Sequence, residues 1–132
     1  SGLGVIQSNP DRSKHLETAT LHFNGHSIDF VNLRSEEYAQ GSRIPSAVQF
    51  GTPGEDAARR DCTINALFLN LSTEQVEDWT GLGLTDLEGR LIRTPLAPRE
   101  TLLDDPLRLL RAIRFAARFA FSLHPALLTA IQ

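Results

Sequence analysis

The chain has 132 residues, a formal net charge of −3 and 41% hydrophobic content, which is the profile of one globular domain of ordinary size. A net negative charge excludes indiscriminate coating of nucleic acid, so contact with phosphate must come from a local patch. The single cysteine, Cys62, excludes an internal disulfide and a cysteine-based zinc centre and fits a reducing intracellular compartment, and no apolar run is long enough to span a membrane.

Residues 1–15, rich in Gly, Ser, Asn and Pro, read as a loop turning at Asn9-Pro10-Asp11. Leu16 to Phe23 reads as a strand, Asn24-Gly25 is a hairpin turn signal, and Ser27 to Leu33 alternates as the return strand. Residues 35–52 are polar with Gly and Pro and read as a loop. A short helix is predicted from Pro53 or Gly54 to Arg60, with acidic residues in its first turn. Ala66 to Leu71 and Gln75 to Asp78 form a second predicted hairpin. Gly81, Gly83 and Gly89 make 79–90 a flexible, hinge-like connector with at most one helical turn at Asp86-Leu87-Glu88, and Leu91 to Thr94 suits a short strand.

The best-defined helix starts after Asp104 or Asp105, an aspartate capping it and Pro106 in its first turn, where the missing N–H costs nothing. Its predicted apolar face is Leu109, Leu110, Ile113, Ala116 and Ala117. A last helix begins near His124-Pro125. The order of elements is that of an α+β fold, antiparallel strands followed by the start of a helical region. With no methionine and an apolar helical pattern running to its end, the chain is expected to be an internal piece of a larger protein.

The helix after Asp105 carries the densest chemistry. From Arg108, the residues Arg111, Arg114 and Arg118 fall at about 300°, 240° and 280°, within a third of the circumference. Like charges at this spacing repel, so the stripe needs either acidic neighbours or an anionic ligand. Guanidinium groups suit phosphates and base edges, and Asp105 beside Arg108 offers acceptor and donor together, as a base edge does. Asp29, between Ile28 and Phe30, reads either as a solvent-face residue or as a metal-binding or basic carboxylate needing further acids. In Arg59-Arg60-Asp61-Cys62-Thr63-Ile64-Asn65 the arginines and aspartate can make a local ion pair, worth little at a surface, Cys62 reads as a packing residue, and Asn65 wants a ribose or backbone partner. The glycines of 81–89 lack dinucleotide-site spacing.

In this order the segments resemble the class II tRNA nucleotidyltransferases, the CCA-adding enzymes, and their poly(A) polymerase relatives. Arg59-Arg60-Asp61 with Thr63-Ile64-Asn65-Ala66 is similar to the family's ribose-recognising motif B, 78–87 to motif C, and Asp104-Asp105-Pro106-Leu107-Arg108 to motif D, with Asp104 where the family carries Glu. The 13–20 segment and the 35–52 loop resemble the fungal or plant branch.

The resemblance implies a nucleotidyltransferase head over 1–95 and the start of an all-α neck over 96–132. It implies CTP and ATP as substrates, the tRNA 3′ end as partner, and a two-Mg²⁺ mechanism. In that scheme Asp29 assists the metal carboxylates, Arg60 contacts the nucleotide, and Asp61 and Asn65 order the ribose pocket. Asp105 and Arg108 read the base, and Arg111 and Arg114 bind nucleotide or orient that pair. Motif A, the Asp-x-Asp pair that holds the metals, is not in this sequence, so the isolated segment is expected to be inactive. Poly(A) addition, CC-only or A-only addition, and a non-catalytic nucleotide- or RNA-binding module are the alternatives. The family places such a protein in the cytoplasm, nucleus or mitochondrion.

Overall fold

The structure, a computed structural model, describes residues 3–6, 18–38 and 45–131. The predicted loop turn at Asn9-Pro10-Asp11 lies outside the described residues. Strands β1 (Leu3–Ile6), β2 (Thr18–Phe23) and β3 (His26–Val31) form an antiparallel sheet in that order. The β2–β3 turn is the expected one: Asn24 and Gly25 both adopt positive φ, 48° and 79°, which matches the twist of a two-residue hairpin.

The region read as a loop holds a second antiparallel pair, β4 (Arg34–Tyr38) and β5 (Pro45–Phe50). Its polar sequence hid it, because Arg34 and Glu36 lie on one face of β4 and serve charge pairing rather than a core. Gly51 closes this pair. Its N–H donates to the Leu33 carbonyl at 3.0 Å, and a Cβ there would stand 2.6 Å from the backbone of Arg34 and Ser35, so only glycine allows that approach.

Helix α1 (Pro53–Ala58) has a complete capping box. The Thr52 hydroxyl accepts the Glu55 N–H, and the Glu55 carboxylate accepts the Thr52 N–H at 2.7 Å. That backbone bond, with the Thr52 hydroxyl, holds the Glu55 carboxyl below its ordinary value. A 3-10 turn at Thr63–Asn65 leads into the second predicted hairpin, β6 (Leu67–Asn70) and β7 (Gln75–Asp78).

The connector is more ordered than its glycines suggest. Gly83–Glu88 forms helix α2, and Asp86 within it is buried. Asp86 accepts the Thr63 hydroxyl at 2.7 Å on one oxygen and pairs with Arg93 at 2.9 Å on the other. The Asp78 carboxylate holds the entry, accepting from the Thr80 hydroxyl and N–H on one oxygen and the Leu84 N–H on the other. Burial would raise the Asp78 carboxyl, but these bonds outweigh it and hold it below its ordinary value. A lowered folded-state value means stability present above the ordinary carboxylate range and lost as pH falls through the folded value. Asp78→Ala should therefore cost about 1 kcal/mol at neutral pH, a typical cap loss, and the cost should shrink below about pH 4. Urea unfolding at the two pH values checks this; a cost independent of pH would contradict it.

Strand β8 (Leu91–Ile92) pairs in parallel with β9 (Ser122–Leu123), and between them lie α3 (Pro98–Asp104) and α4 (Leu107–Phe119); α5 (Pro125–Ala130) follows, capped by the His124 ring nitrogen. The core joins these elements: Cys62, Ile92, Ala112 and Leu127 are fully buried, with Ile64, Phe115 and Phe121 packed against them. The face α4 turns inward differs from the predicted one. Arg108 and Ala112 are buried and Phe115 and Ala116 half-buried, at the i, i+4, i+7, i+8 spacing, while Leu110 and Ile113 are exposed. Small Ala112 lets the helix approach Ile92 and Leu127, and that rotation carries Arg108 inward.

Candidate functional site

An open cleft of about 720 Å³ lies where β4, the end of α1, the 3-10 turn and the start of α4 meet. Five arginines and three carboxylates line it: Arg34, Arg59, Arg60, Arg108 and Arg111 against Glu36, Asp61 and Asp105. The balance is cationic in a chain of net negative charge, and such a wall attracts an anion. Crowding shows in Arg34, whose guanidinium is pulled below its ordinary value by burial and then by Arg59, against the opposing pull of Glu36 and Asp56.

Arg59 and Arg60 do not use the local ion pair that their neighbour Asp61 offers. Both turn to Asp56, one helical turn back and fully buried. Helix geometry favours this, since residues three and four apart lie on one face. Asp61 is thereby released for other work. One of its oxygens accepts the Cys62 N–H at 2.9 Å and the Asn65 side-chain amide at 3.1 Å; the other accepts Arg111 Nε at 2.6 Å. A single carboxylate thus ties the 3-10 turn to α4. Cys62 is the packing residue expected: burial first, then the nearby Asp61 charge, pushes its thiol up to about 12, so it stays protonated.

At the head of α4, Asp105 accepts the Leu107 N–H at 3.0 Å, the capping role predicted for it, while its backbone carbonyl accepts the Arg108 N–H. Asp105 and Arg108 both line the cleft. Arg111 and Arg114 stand over the ring of Phe115 at 5.5 and 5.1 Å, and Arg118 over Phe119 at 5.7 Å. The arginine stripe is therefore relieved by Asp61 and by aromatic faces.

Of the residues singled out from the sequence, the cleft gathers Arg60, Asp61, Asn65, Asp105, Arg108 and Arg111; Arg114 and Asp29 are not in its lining. Asp29 is exposed on β3, where it accepts the Thr20 hydroxyl at 2.7 Å across the β2–β3 pair. Arg34, Glu36 and Arg59, with Leu107 and Phe115, complete the cleft wall, and of these Arg34 and Glu36 were assigned no role from sequence. The signal was the spacing of Arg34 and Glu36 at period two, readable once β4 is known to be a strand. Among the described residues no group of three His, Cys, Asp or Glu side chains is placed to hold a metal ion. Asp29 offers a lone carboxylate, so these residues do not fit a two-Mg²⁺ site. No helix among the described residues is long and apolar enough to cross a membrane.

The chain is similar to known proteins along nearly its whole length. It is 58% identical over 123 residues to the mitochondrial CCA tRNA nucleotidyltransferase of Candida glabrata, an alignment covering 93% of this chain and 23% of that protein. Among solved structures, a CCA-adding enzyme in its apo form II superposes with a TM-score of 0.80 at 30% identity, over 98% of this chain and 29% of that one. The Bacillus stearothermophilus CCA-adding enzyme in complex with CTP gives a TM-score of 0.73 at 26% identity, over 86% of this chain and 26% of that one. The chain thus spans about a quarter of the length of these relatives. Residues 4–93 match the Poly A polymerase head domain, and the chain belongs to that nucleotidyltransferase family.

Proposed function

We propose that this chain is the nucleotide-selecting part of a CCA-adding tRNA nucleotidyltransferase, which joins C, C and A to the tRNA 3′ end from CTP and ATP. The observation that carries the reading is the convergence, in one cationic cleft, of Asp105 and Arg108 with Asp61, Asn65 and Arg60. In this scheme Asp105 and Arg108 present an acceptor and a donor to the base edge, and burial of Arg108 limits the geometries it can offer. Asp61 and Asn65, already joined by a hydrogen bond, meet the ribose hydroxyls. Arg60 meets the phosphates. Arg111 holds Asp61 from α4, so that sugar and base are read in one register. Arg114, beside Phe115, supports the helix rather than touching nucleotide. Fixing the nucleotide in this way supplies the positioning that phosphoryl transfer needs.

Mg²⁺ would supply charge neutralisation at the reacting phosphate. The described residues do not supply its ligands, and an auxiliary role for Asp29 would need further carboxylates brought to β3. We place the boundary between head and helical neck at 95/96, in keeping with the family match ending at residue 93. A mitochondrial location follows the name of the Candida relative.

The test uses the intact enzyme, meaning this segment within a polypeptide that also carries motif A, and a tRNA lacking its 3′ end. Addition of C, C and A, and then arrest, is the expected product. A long A tract made from ATP alone would assign the poly(A) activity after which the family is named, and arrest after one nucleotide type would assign a CC-only or A-only enzyme. The segment alone should add nothing.

A further inference from the structure

One buried group has no place in that scheme. Asp56, on α1, is 1% exposed and is not in the cleft lining. Its two oxygens nonetheless accept five N–H donors from three residues. One oxygen takes Arg60 Nε at 2.9 Å and Arg60 Nη2; the other takes Arg59 Nη2 at 2.8 Å, Arg59 Nε at 3.3 Å and the Arg34 backbone N–H at 3.0 Å. A carboxylate saturated in this way fixes the planes of both guanidinium groups. Arg59 also reaches Glu36 at 3.0 Å and the Arg34 carbonyl at 3.2 Å, which locks it against β4. Arg60 keeps about a third of its side chain open, at 36%, on the cleft wall.

We propose that Asp56 is a positioning residue for polyphosphate: from beneath the cleft it aims Arg59 and Arg60 at the β- and γ-phosphates of the incoming nucleotide, without touching the nucleotide itself. Asp105, Arg108, Asp61 and Asn65 account for base and sugar, which leaves the arginines of β4 and the α1 end for the part of the ligand that carries most charge. Preformed guanidinium planes lose little freedom on binding and favour a ligand with several anionic oxygens over one with a single phosphate. The inference rests on the nucleotide-selecting reading given above.

The test compares CTP with CMP, which shares base and ribose but lacks the β- and γ-phosphates, binding to the intact enzyme. Asp56→Asn should weaken CTP about tenfold and CMP less than about twofold, the order expected for charge-assisted bonds set in the wrong plane. Equal weakening of both, or no weakening in a variant that melts like the parent, would overturn the inference. If Asp56→Asn melts early, the comparison moves to the Arg59→Gln, Arg60→Gln background, where the change removes a buried carboxylate already deprived of its two cations and so strands no guanidinium. There Asp56→Asn should alter the CTP-to-CMP ratio less than about twofold, since its effect runs through the two arginines; a further tenfold loss would overturn the proposal. A parent enzyme that binds neither nucleotide would defeat the nucleotide-selecting reading itself, whereas a parent that prefers CTP beside an unchanged variant defeats only the role of Asp56.

Discussion

Replacing Arg108 by alanine in the intact enzyme is expected to blur the choice between CTP and ATP on one side and GTP and UTP on the other. A side chain that reads a base edge through paired hydrogen bonds contributes about 1–3 kcal/mol of discrimination, so selectivity should fall roughly ten- to a hundredfold. Arg108 sits at the head of α4, is 7% exposed, and lines the cleft beside Asp105, so the missing guanidinium would leave a void at the base edge rather than a new donor. Arg108→Lys should recover charge but little selectivity, because an ammonium lacks the planar fork. Single-nucleotide incorporation with each of the four triphosphates measures the effect. Selectivity unchanged in Arg108→Ala would remove this residue from base recognition.

The second large effect concerns the fold under the site. Asp86→Ala should destabilise the protein by about 3–5 kcal/mol, the cost of removing one partner of a buried ion pair. Asp86 is 1% exposed and joins the Thr63 hydroxyl to Arg93. Through Thr63 it steadies the 3-10 turn that carries Asn65, and the Thr63 N–H donates to the Arg93 carbonyl at 2.9 Å, closing the loop of contacts. Chemical denaturation reads the loss; a change under about 1 kcal/mol would mean that the pair contributes nothing beyond packing. Arg93→Gln should cost at least as much, because it leaves the buried Asp86 carboxylate without its cation, whereas the Arg93 guanidinium, 28% exposed, can still reach water when Asp86 is removed.

What could be read from the sequence was set by distance along the chain. The Asn24-Gly25 turn, the Asp105 cap and the Pro125 helix start depend on neighbours within a few residues, and each stands where its local chemistry puts it. The β4–β5 pair was not legible, because Arg34-Ser35-Glu36-Glu37 shows no apolar alternation and the Glu36 charge is satisfied by Arg34 and by Arg59 beyond α1 rather than by water alone. The glycines at 81, 83 and 89 read as freedom, whereas Asp78 and Asp86 use side-chain bonds to order the same segment. The inward face of α4 went astray by part of a turn: Leu110 and Ile113 look like core in a helical wheel, but the space beside Ile92 and Leu127 admits only Ala112. The Asp61–Arg111 bond joins residues 50 apart, and no pattern within either segment announces it. The residues of the site were legible as types, from the arginine stripe and from the resemblance of the two motifs. Their division into those that line the cleft and those that hold the liners in place required the fold.

If one cleft reads base, ribose and phosphate together, its nucleotide preference depends on the Asp61 anchor. Equilibrium binding of CTP, ATP, GTP and UTP to the intact enzyme and to its Asp61→Asn variant tests it most directly. CTP and ATP should bind at least about tenfold more tightly than GTP and UTP, and Asp61→Asn should weaken the preferred pair and narrow that gap, because Arg111 and Asn65 lose their common anchor. Equal binding of all four nucleotides by the parent enzyme, or a preference untouched by Asp61→Asn, would contradict it.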